Sequence, residues 1–427
     1  MLCLCITIVT IILLIIAILF FPMIKIKHLK LGTHWVIVLL AAIILIASKQ
    51  VSLSSIWSSF TSNTSMNPLK ILVLFISMTV LSIFLDEIGF FKYLATKTTK
   101  LFKNSQVKLF FGFYALISLL TIFTSNDIII LTFTPFLCYY AKNTKISPIP
   151  YLVSEFIAAN TWSMTLIIGN PTNIYLASAF QIDFLSYLKT MILPTLAAGI
   201  ISLLLLFIIF RKKLKEPMTV YEEKIEKPNK VLLIIGLAHL IITTILLAIS
   251  SYIHLEMWYI ALSLAISVLL MATLYLMIRK RKLIPVRMTL MRAPWNLIPF
   301  VLSMFIIVLS LKEQGITQKI AEMLNKSNSL YTYGFFGALI ANLINNIPMS
   351  VLFGDVLAGA DMMNVYASII ASNIAAFITP IGALAGIMWM SLLKTYEVNY
   401  SFKQFTLYGL IIGIPSLAAA LSILLLL

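Results

Sequence analysis

Charge is scarce in this chain. Asp, Glu, Lys and Arg make up 11% of its 427 residues and hydrophobic side chains 61%. That is too little polar surface to enclose a water-soluble core, so the medium around the fold is lipid. Cysteine is almost missing: Cys3, Cys5 and Cys138 are too few and too scattered for a disulfide framework or a metal site. His28, His34, His239 and His254 sit near the ends of apolar runs or alone and form no ligand cluster. A Gly-rich phosphate loop, a hydrolase nucleophile elbow and a zinc signature are all lacking, and no acid, base and nucleophile set can be assembled. The chain is therefore not expected to be an enzyme, and it has no catalytic or metal-binding residues and no cofactor to name. Any work must come from a proton or sodium gradient, or from a separate ATPase subunit.

What the chain does have is apolar length. Runs long enough to span a bilayer, roughly 17 to 25 residues, lie near 2–24, 31–48, 69–91, 184–210, 231–250, 256–278, 294–312 and 402–427. The first has no basic residue before it and no clean small-residue cleavage site, so a retained helix is expected. The formal charge of +16 is distributed by loop: 25 of the 31 Lys and Arg fall in the Lys25/Lys30 loop and in the loops near 92–108, 142–145, 211–230, 279–292 and 394–403. Such segregation is the positive-inside pattern of a multi-pass protein of the plasma membrane, and no nucleic-acid partner is needed to explain it. The stretch 92–108, with Leu94, Leu101, Phe102 and Val107 between lysines, reads as an amphipathic interfacial helix or a wet connecting loop.

For the 92–108 and 142–145 loops to share a side, the segment between them must enter the membrane and return. It is expected to be a re-entrant hairpin, 107–141, with its tip at Thr124, Ser125, Asn126 and Asp127. The same bookkeeping makes 331–360 a hairpin entered from the opposite side, with its tip at Asn345, Asn346, Ile347 and Pro348. Non-helical backbone survives at that depth only when buried in protein or lining a water-filled cavity.

The two hairpins belong to a duplication. Phe184, Tyr187, Pro194, Leu196, Ala197 and Ala198 reappear at a constant offset of 221 as Phe405, Tyr408, Pro415, Leu417, Ala418 and Ala419. Asn160 is followed nine residues later by Gly169, and Asn373 is followed nine later by Gly382. The expected fold class is thus an all-α polytopic membrane protein of two inverted repeats, each with five crossings, one re-entrant hairpin and one discontinuous helix. The first repeat is 1–210, with hairpin 107–141 and broken helix 150–180; 211–230 is a solvated cytoplasmic linker; the second repeat is 231–427, with hairpin 331–360 and broken helix 365–393. Paired interruptions at matching places of two halves mark a transporter binding site near the bilayer midplane.

The candidate binding residues follow. At the tips they are Ser125, Asn126, Asp127, Asn345 and Asn346. Asn160, Gly169, Asn170, Thr172 and Asn173 belong to the first broken helix, and Asn373, Thr379 and Gly382 to the second. Proline removes a donor and clashes with the preceding turn, so Pro171 and Pro380 free carbonyls for an ion or a hydroxylated ligand. Helix capping is an alternative and compatible role for Asn126, Asp127, Asn345 and Asn346. An ionised Asp127 near the midplane costs about 3 kcal/mol or more unless paired, hydrated or protonated. Asn346 takes its place in the second half, so Asp127 is expected to couple transport to a proton or a cation. Glu155 is a second titrating candidate, while Asp86 and Glu87 are expected to snorkel or to pair with neighbouring lysines.

Together these residues resemble the ion transporter superfamily, and within it the arsenite efflux permeases. The resemblance rests on Asn345-Asn346-Ile347-Pro348, Ala371-Ser372-Asn373, Ile378-Thr379-Pro380-Ile381-Gly382-Ala383-Leu384-Ala385 and Trp389 in the second half. In the first half it rests on Asn126-Asp127, Thr134-Pro135 and Asn170-Pro171-Thr172-Asn173-Ile174. The first break, Gly169 to Asn173, is also similar to that of the sodium-coupled dicarboxylate and citrate permeases. The resemblance implies a carrier whose hairpin-bearing part slides against a scaffold and exports arsenite or antimonite, by proton exchange or with a cytoplasmic ATPase. The other reading open at this point is a sodium- or proton-coupled permease for carboxylates or inorganic anions, or a sodium/proton antiporter. A passive channel is a third class. The expected partners are the lipid bilayer, a small inorganic or organic solute, an ATPase subunit and a second copy of the chain as a homodimer.

Overall fold

The computed structural model describes residues 2–21, 23–26, 29–63, 67–103, 105–219, 226–327 and 329–427. His28 and the linker positions 220–225 lie outside the described residues. Apart from one two-stranded antiparallel ribbon, Met23–Ile26 paired with Leu29–Gly32, where a plain loop was expected, the regular structure is helical.

Helices recur in the same order in both halves. The first half runs α1 (Leu2–Phe20), α2 (Thr33–Ala47), α3 (Leu53–Thr61), α4 (Pro68–Glu87), α5 (Phe90–Leu101), α6 (Gln106–Phe123), α7 (Asn126–Thr144), α8 (Ile149–Trp162), α9 (Pro171–Ala179) and α10 (Phe184–Phe210). The second runs α11 (Lys230–Ala248), α12 (Met257–Ile278), α13 (Ile284–Arg292), α14 (Leu297–Glu313), α15 (Ile316–Asn325), α16 (Leu330–Ile344), α17 (Asn346–Val356), α18 (Met362–Ile374), α19 (Leu384–Thr395) and α20 (Phe402–Leu425). Seven helices among the described residues are long and apolar enough to cross a membrane, and five shorter ones are apolar too.

Local chemistry sets the helix starts. Asn67 accepts from the N–H groups of Leu69 and Lys70, with Pro68 behind it at the first helical position of α4, where a missing N–H is harmless. Asp183 caps α10, Asn229 caps α11, and Ser401 forms a reciprocal capping box with Gln404 on α20. At the corners before α5 and α15 stand Gly89 and Gly315, with φ of 82° and 70°, a left-handed turn that a side chain resists. The interfacial helix expected at 92–108 is α5 together with the first turn of α6; the short helices α3, α13 and α15 were not anticipated.

Packing crosses between the halves. α4 lies against α12 and α2 against α14; α7 packs on α19 and α17 on α9; α10 and α20, which carry the duplicated string, form the largest interhelical contact. α4 is buried on nearly every side, whereas α10, α11 and α12 each turn a row such as Ile200, Leu204 and Ile208 outward, as a lipid-facing helix does. The segment after α10 is less free than a solvated linker: Leu214 is buried, and the Glu216 carbonyl accepts from Gln106 at 2.6 Å. Asp86 and Glu87 are ion-paired, but to Arg292 of α13 and not to a neighbouring lysine (Asp86 at 2.7 Å). The residue that compensates them is far away in sequence and beside them only in the fold.

Candidate functional site

Four chain interruptions converge in the interior. Two are hairpin tips, at Thr124 and Ser125 between α6 and α7 and at Asn345 between α16 and α17; two are breaks, at 163–170 between α8 and α9 and at 375–383 between α18 and α19. Within the first break the chain makes two short 3-10 turns, Ser163–Thr165 and Ile167–Gly169. A Cβ on Gly169 would overlap the Ser163 carbonyl oxygen, and one on Gly382 would overlap that of Ala375, so both breaks close only around glycine.

The two breaks are tied to each other through Asn373. Its Oδ1 accepts from Ser163 Oγ and from Asn170 Nδ2, each at 3.0 Å, and its Nδ2 donates to Asn173 Oδ1 at 2.6 Å and to the Ile369 carbonyl at 2.9 Å. Beside it, Ser372 Oγ donates to Thr172 Oγ1 at 2.9 Å. Asn173 Nδ2 gives its hydrogens to the Ser163 and Leu166 carbonyls inside the break. Asn170 Oδ1 caps α9 by accepting from the Thr172 N–H at 3.2 Å. All of these side chains are buried, so each amide hydrogen and lone pair has to find a partner within the protein.

The second tip is sewn to the second break. Asn345 has φ 80° and ψ 152°, a conformation costing about 1–3 kcal/mol for a residue with a side chain. Its Nδ2 donates to the Ile381 carbonyl at 3.0 Å and its Oδ1 accepts from the Ile347 N–H at 3.3 Å. The Asn346 N–H donates to the Gly382 carbonyl at 2.9 Å and its Nδ2 to the Ser372 carbonyl at 3.3 Å. Thr379 is held by Asn342 Oδ1 at 2.7 Å.

The first tip is only partly satisfied. Asn126 Nδ2 donates to Asn160 Oδ1 at 3.0 Å, and Asn160 donates to its own helix at Phe156. Asn126 Oδ1, Ser125 Oγ and Thr161 Oγ1 are buried with no hydrogen-bond partner. Asp127 is half-buried, and no hydrogen bond or ion pair joins its carboxylate to another described residue. Glu155 is fully buried five positions before Asn160, where its carboxyl accepts from Thr134 Oγ1 and Trp389 Nε1.

Two expectations change here. Capping accounts for Asn345 alone among the four tip residues, because Asn126 and Asn346 spend their amides on the neighbouring broken helices and Ser125 occupies the capping position of α7. The tips also align one residue differently: with Ser125 and Asn345 both at the capping position, Asn126 matches Asn346, and Asp127 matches Ile347. Ser163, Ser372 and Asn342 complete the polar network, Thr161 stands unpaired, Thr134 and Trp389 hold Glu155, and none of the six was singled out as a ligand. Their signal in the sequence is adjacency to the breaks or, for Trp389 and Thr134, only membership in a family motif.

Among the tips and breaks there is no Lys or Arg. A pocket of about 20 Å³ lies beside Thr172, Tyr175, Ile347 and Ser350 at the junction. Two larger cavities flank it. One of about 460 Å³ reaches Pro380 of the second break from the face of the basic loops, past Lys394 and Tyr400. The other, of about 470 Å³ on the opposite face, is lined by Lys70, Gln181, Asp183, Glu256 and Trp258. At its wall Lys70 pairs with Glu256 at 2.6 Å, a hydrogen bond that holds the Glu256 carboxyl below its ordinary range.

A lipid-embedded helical bundle whose paired interruptions meet on buried amides and hydroxyls is a multi-pass transporter of the cell membrane. The family described as "Citrate transporter" matches residues 11–369, and the chain belongs to it. It is 26% identical over 368 residues to the "Arsenical pump membrane protein" of Escherichia coli, covering 82% of this chain and 84% of that protein. It is likewise 26% identical over 367 residues, with the same coverage, to the protein of that name in Yersinia enterocolitica. A "Putative arsenical pump membrane protein" of Bacillus subtilis is 24% identical over 360 residues, 76% of this chain and 80% of that one.

Proposed function

We propose that this transporter exports arsenite or antimonite by exchange for protons, the solute crossing as the uncharged trihydroxide. In this reading the two halves are inverted repeats: each has five crossings and one hairpin, and an odd number of crossings turns the second copy over. The observation that carries the choice of solute is the first tip, where Ser125 Oγ, Asn126 Oδ1 and Thr161 Oγ1 are buried and unpaired beside Asp127, with no Lys or Arg in reach of the junction. Unpaired polar atoms cost free energy until a ligand satisfies them. A neutral trihydroxide carries hydrogens for Asn126 Oδ1 and the Asp127 carboxylate and lone pairs for the hydroxyls. The relatives named as arsenical pumps agree with this choice.

Citrate or another carboxylate is the second reading, favoured by the family's description. It requires compensating positive charge, for which this junction offers the start of α19, whose capping residue Ala383 has no side-chain acceptor, and sodium ions if they bind. Within the membrane, Asp127 and Glu155 are the two acids placed to carry an exchanged proton.

Everted vesicles separate the readings. An imposed pH gradient is expected to drive arsenite accumulation without sodium; sodium-dependent uptake of citrate or succinate with no arsenite flux would replace the proposal. Failure to accumulate any solute uphill would favour a channel.

A further inference from the structure

Glu155 is the most enclosed acid among the described residues, and the polar network at the breaks does not use it. It sits on α8 at 0% exposure, with Thr134 of α7 at 0% and Trp389 of α19 at 1%. Thr134 Oγ1 lies 2.9 Å from Oε1 and 3.1 Å from Oε2, and Trp389 Nε1 donates to Oε2 at 3.2 Å. Each oxygen has one donor, Thr134 Oγ1 on Oε1 and Trp389 Nε1 on Oε2, and because a hydroxyl can turn to accept, the same geometry also takes a hydrogen on the carboxyl, given by Oε1 to Thr134 Oγ1.

No cation neutralises this carboxyl. Asp127 and Lys142 at the ends of α7, Lys108 of α6, Lys189 of α10 and Lys394 of α19 form no bond with it among the described residues. The thiol of Cys138 on α7 lies in its field, and the other ionisable groups on the packed helices are tyrosine hydroxyls such as Tyr140, Tyr151 and Tyr366. An ionised carboxylate placed so would be buried without compensation.

Packing does not demand the acid. When α8 and α18 are aligned on Asn160 and Asn373, Glu155 falls on Ser368, whose hydroxyl simply bonds back to the Asn364 carbonyl. By the alignments of the tips and breaks, Thr134 falls on Gly354 and Trp389 on Leu176. The same helix crossing is thus built in the other half with no acid, no indole and no hydroxyl partner. The triad in the first half joins a hairpin arm and a broken helix of one half to α19 of the other.

We propose that Glu155 is the proton carrier of the transport cycle, neutral in the arrangement seen here, and that Thr134 and Trp389 position it so that losing the proton leaves an uncompensated charge where α7, α8 and α19 meet, which favours an arrangement that admits water. This rests on the proton-exchange reading. The only bond made and broken is the carboxyl O–H, loaded from water on one side of the membrane and released to water on the other. Thr134 and Trp389 are positioning residues.

The test is an infrared titration of the purified, lipid-reconstituted protein, with transport in everted vesicles alongside. A protonated-carboxyl band is expected in the wild type at neutral pH, lost as pH rises and missing in E155Q. E155Q is expected to retain wild-type thermal stability, since its amide donates to Thr134 as the acid would, but to show arsenite flux with no pH inflection. W389F is expected to shift the midpoint of the pH profile, and T134V to shift both that midpoint and the band. A wild-type pH profile in E155Q, or a band unchanged by the substitution, overturns the assignment. Should E155Q not insert, T134V decides, because it keeps the acid; an unmoved band and midpoint there count against the proposal. If wild-type vesicles show no pH-driven arsenite flux, the exchange reading fails, while the infrared band still reports whether Glu155 holds a proton.

Discussion

The two hairpin tips occupy equivalent places and solve the same problem in opposite ways. The second has strained backbone at Asn345, whose amide bonds the Ile381 carbonyl of the break and whose oxygen accepts from the Ile347 N–H, and an Asn346 amide bonded to the Ser372 carbonyl of α18. The first has relaxed backbone, with Ser125 at φ −85° and ψ 138°, and side chains only partly used: Asn126 Nδ2 bonds Asn160 Oδ1, while Ser125 Oγ and Asn126 Oδ1 have no partner. Strain held by internal bonds makes the second tip a fixed wall. Under the function proposed above, the unsatisfied polar atoms on the unstrained first tip are where a solute's hydroxyls would gain most. One tip is bonded into its surroundings, and the other keeps two buried polar atoms unpaired.

The comparison is broken most forcefully at the residue that ties the breaks together. Asn373→Ala would strand Asn170 Nδ2 and Asn173 Oδ1 in a buried junction, while Ser163 Oγ keeps the Asn160 carbonyl, and should cost about 3 kcal/mol or more, visible as a large fall in the thermal midpoint in detergent. Next come the tips themselves. Asn346→Ala removes the bond to the Ser372 carbonyl and should lower stability by about 1–2 kcal/mol; Asn126→Ala removes the bond to Asn160 Oδ1 but also deletes an unpaired buried acceptor, so its net cost should be smaller. In binding measurements the order should reverse, with Asn126→Ala weakening arsenite binding roughly tenfold, the 1.4 kcal/mol of one polar contact. If both variants lose stability and affinity alike, the two tips do the same job and the contrast is wrong.

Asp127 supplies a sharper comparison, because its counterpart by the tip alignment is Ile347. Asp127→Asn should insert and fold normally yet lose most arsenite flux, with the pH midpoint of the residual flux unmoved, since the exchanged proton is assigned to Glu155. A moved midpoint would transfer that role to Asp127. The smallest effect is expected at the Lys70–Glu256 pair, which joins the halves on one face of the molecule. Lys70 holds the Glu256 carboxyl low, so its stabilisation is present above the unfolded carboxyl's range and is lost as pH falls through the depressed value. Glu256 is half-exposed, so Lys70→Gln should cost less than about 1 kcal/mol at neutral pH, and nothing in acid, where wild type and variant should melt together.

Much of this was legible from residues alone. Apolar runs located α1, α2, α4, α10, α11, α12, α14 and α20 within a few positions, because lipid leaves little choice for a run of that length. The tips and breaks were legible because Asn, Gly and Pro are costly inside apolar helices and here came in pairs. The interfacial helices α3, α13 and α15 were missed: nine or ten residues with mixed polarity resemble a loop until something packs on them. The partner of Asp86 was missed for a different reason, since Arg292 reaches it only through the packing of α13 on α4. Asp127 was set against Asn346 because both sit second in an Asn-containing pair, and only the helix starts revealed the one-residue shift.

Composition and hydrophobic run length determined that this is a multi-pass helical membrane protein, and the repeated string and paired breaks marked where its chain interruptions fall, because burial in lipid acts residue by residue and leaves its record in one dimension. Which polar side chain meets which was decided only in three dimensions. A hydrogen bond depends on a distance of about 3 Å between atoms that the chain separates by any number of residues. Asn373 answers Asn170 and Asn173, and Trp389 answers Glu155, solely because α18 and α19 are folded against the other half.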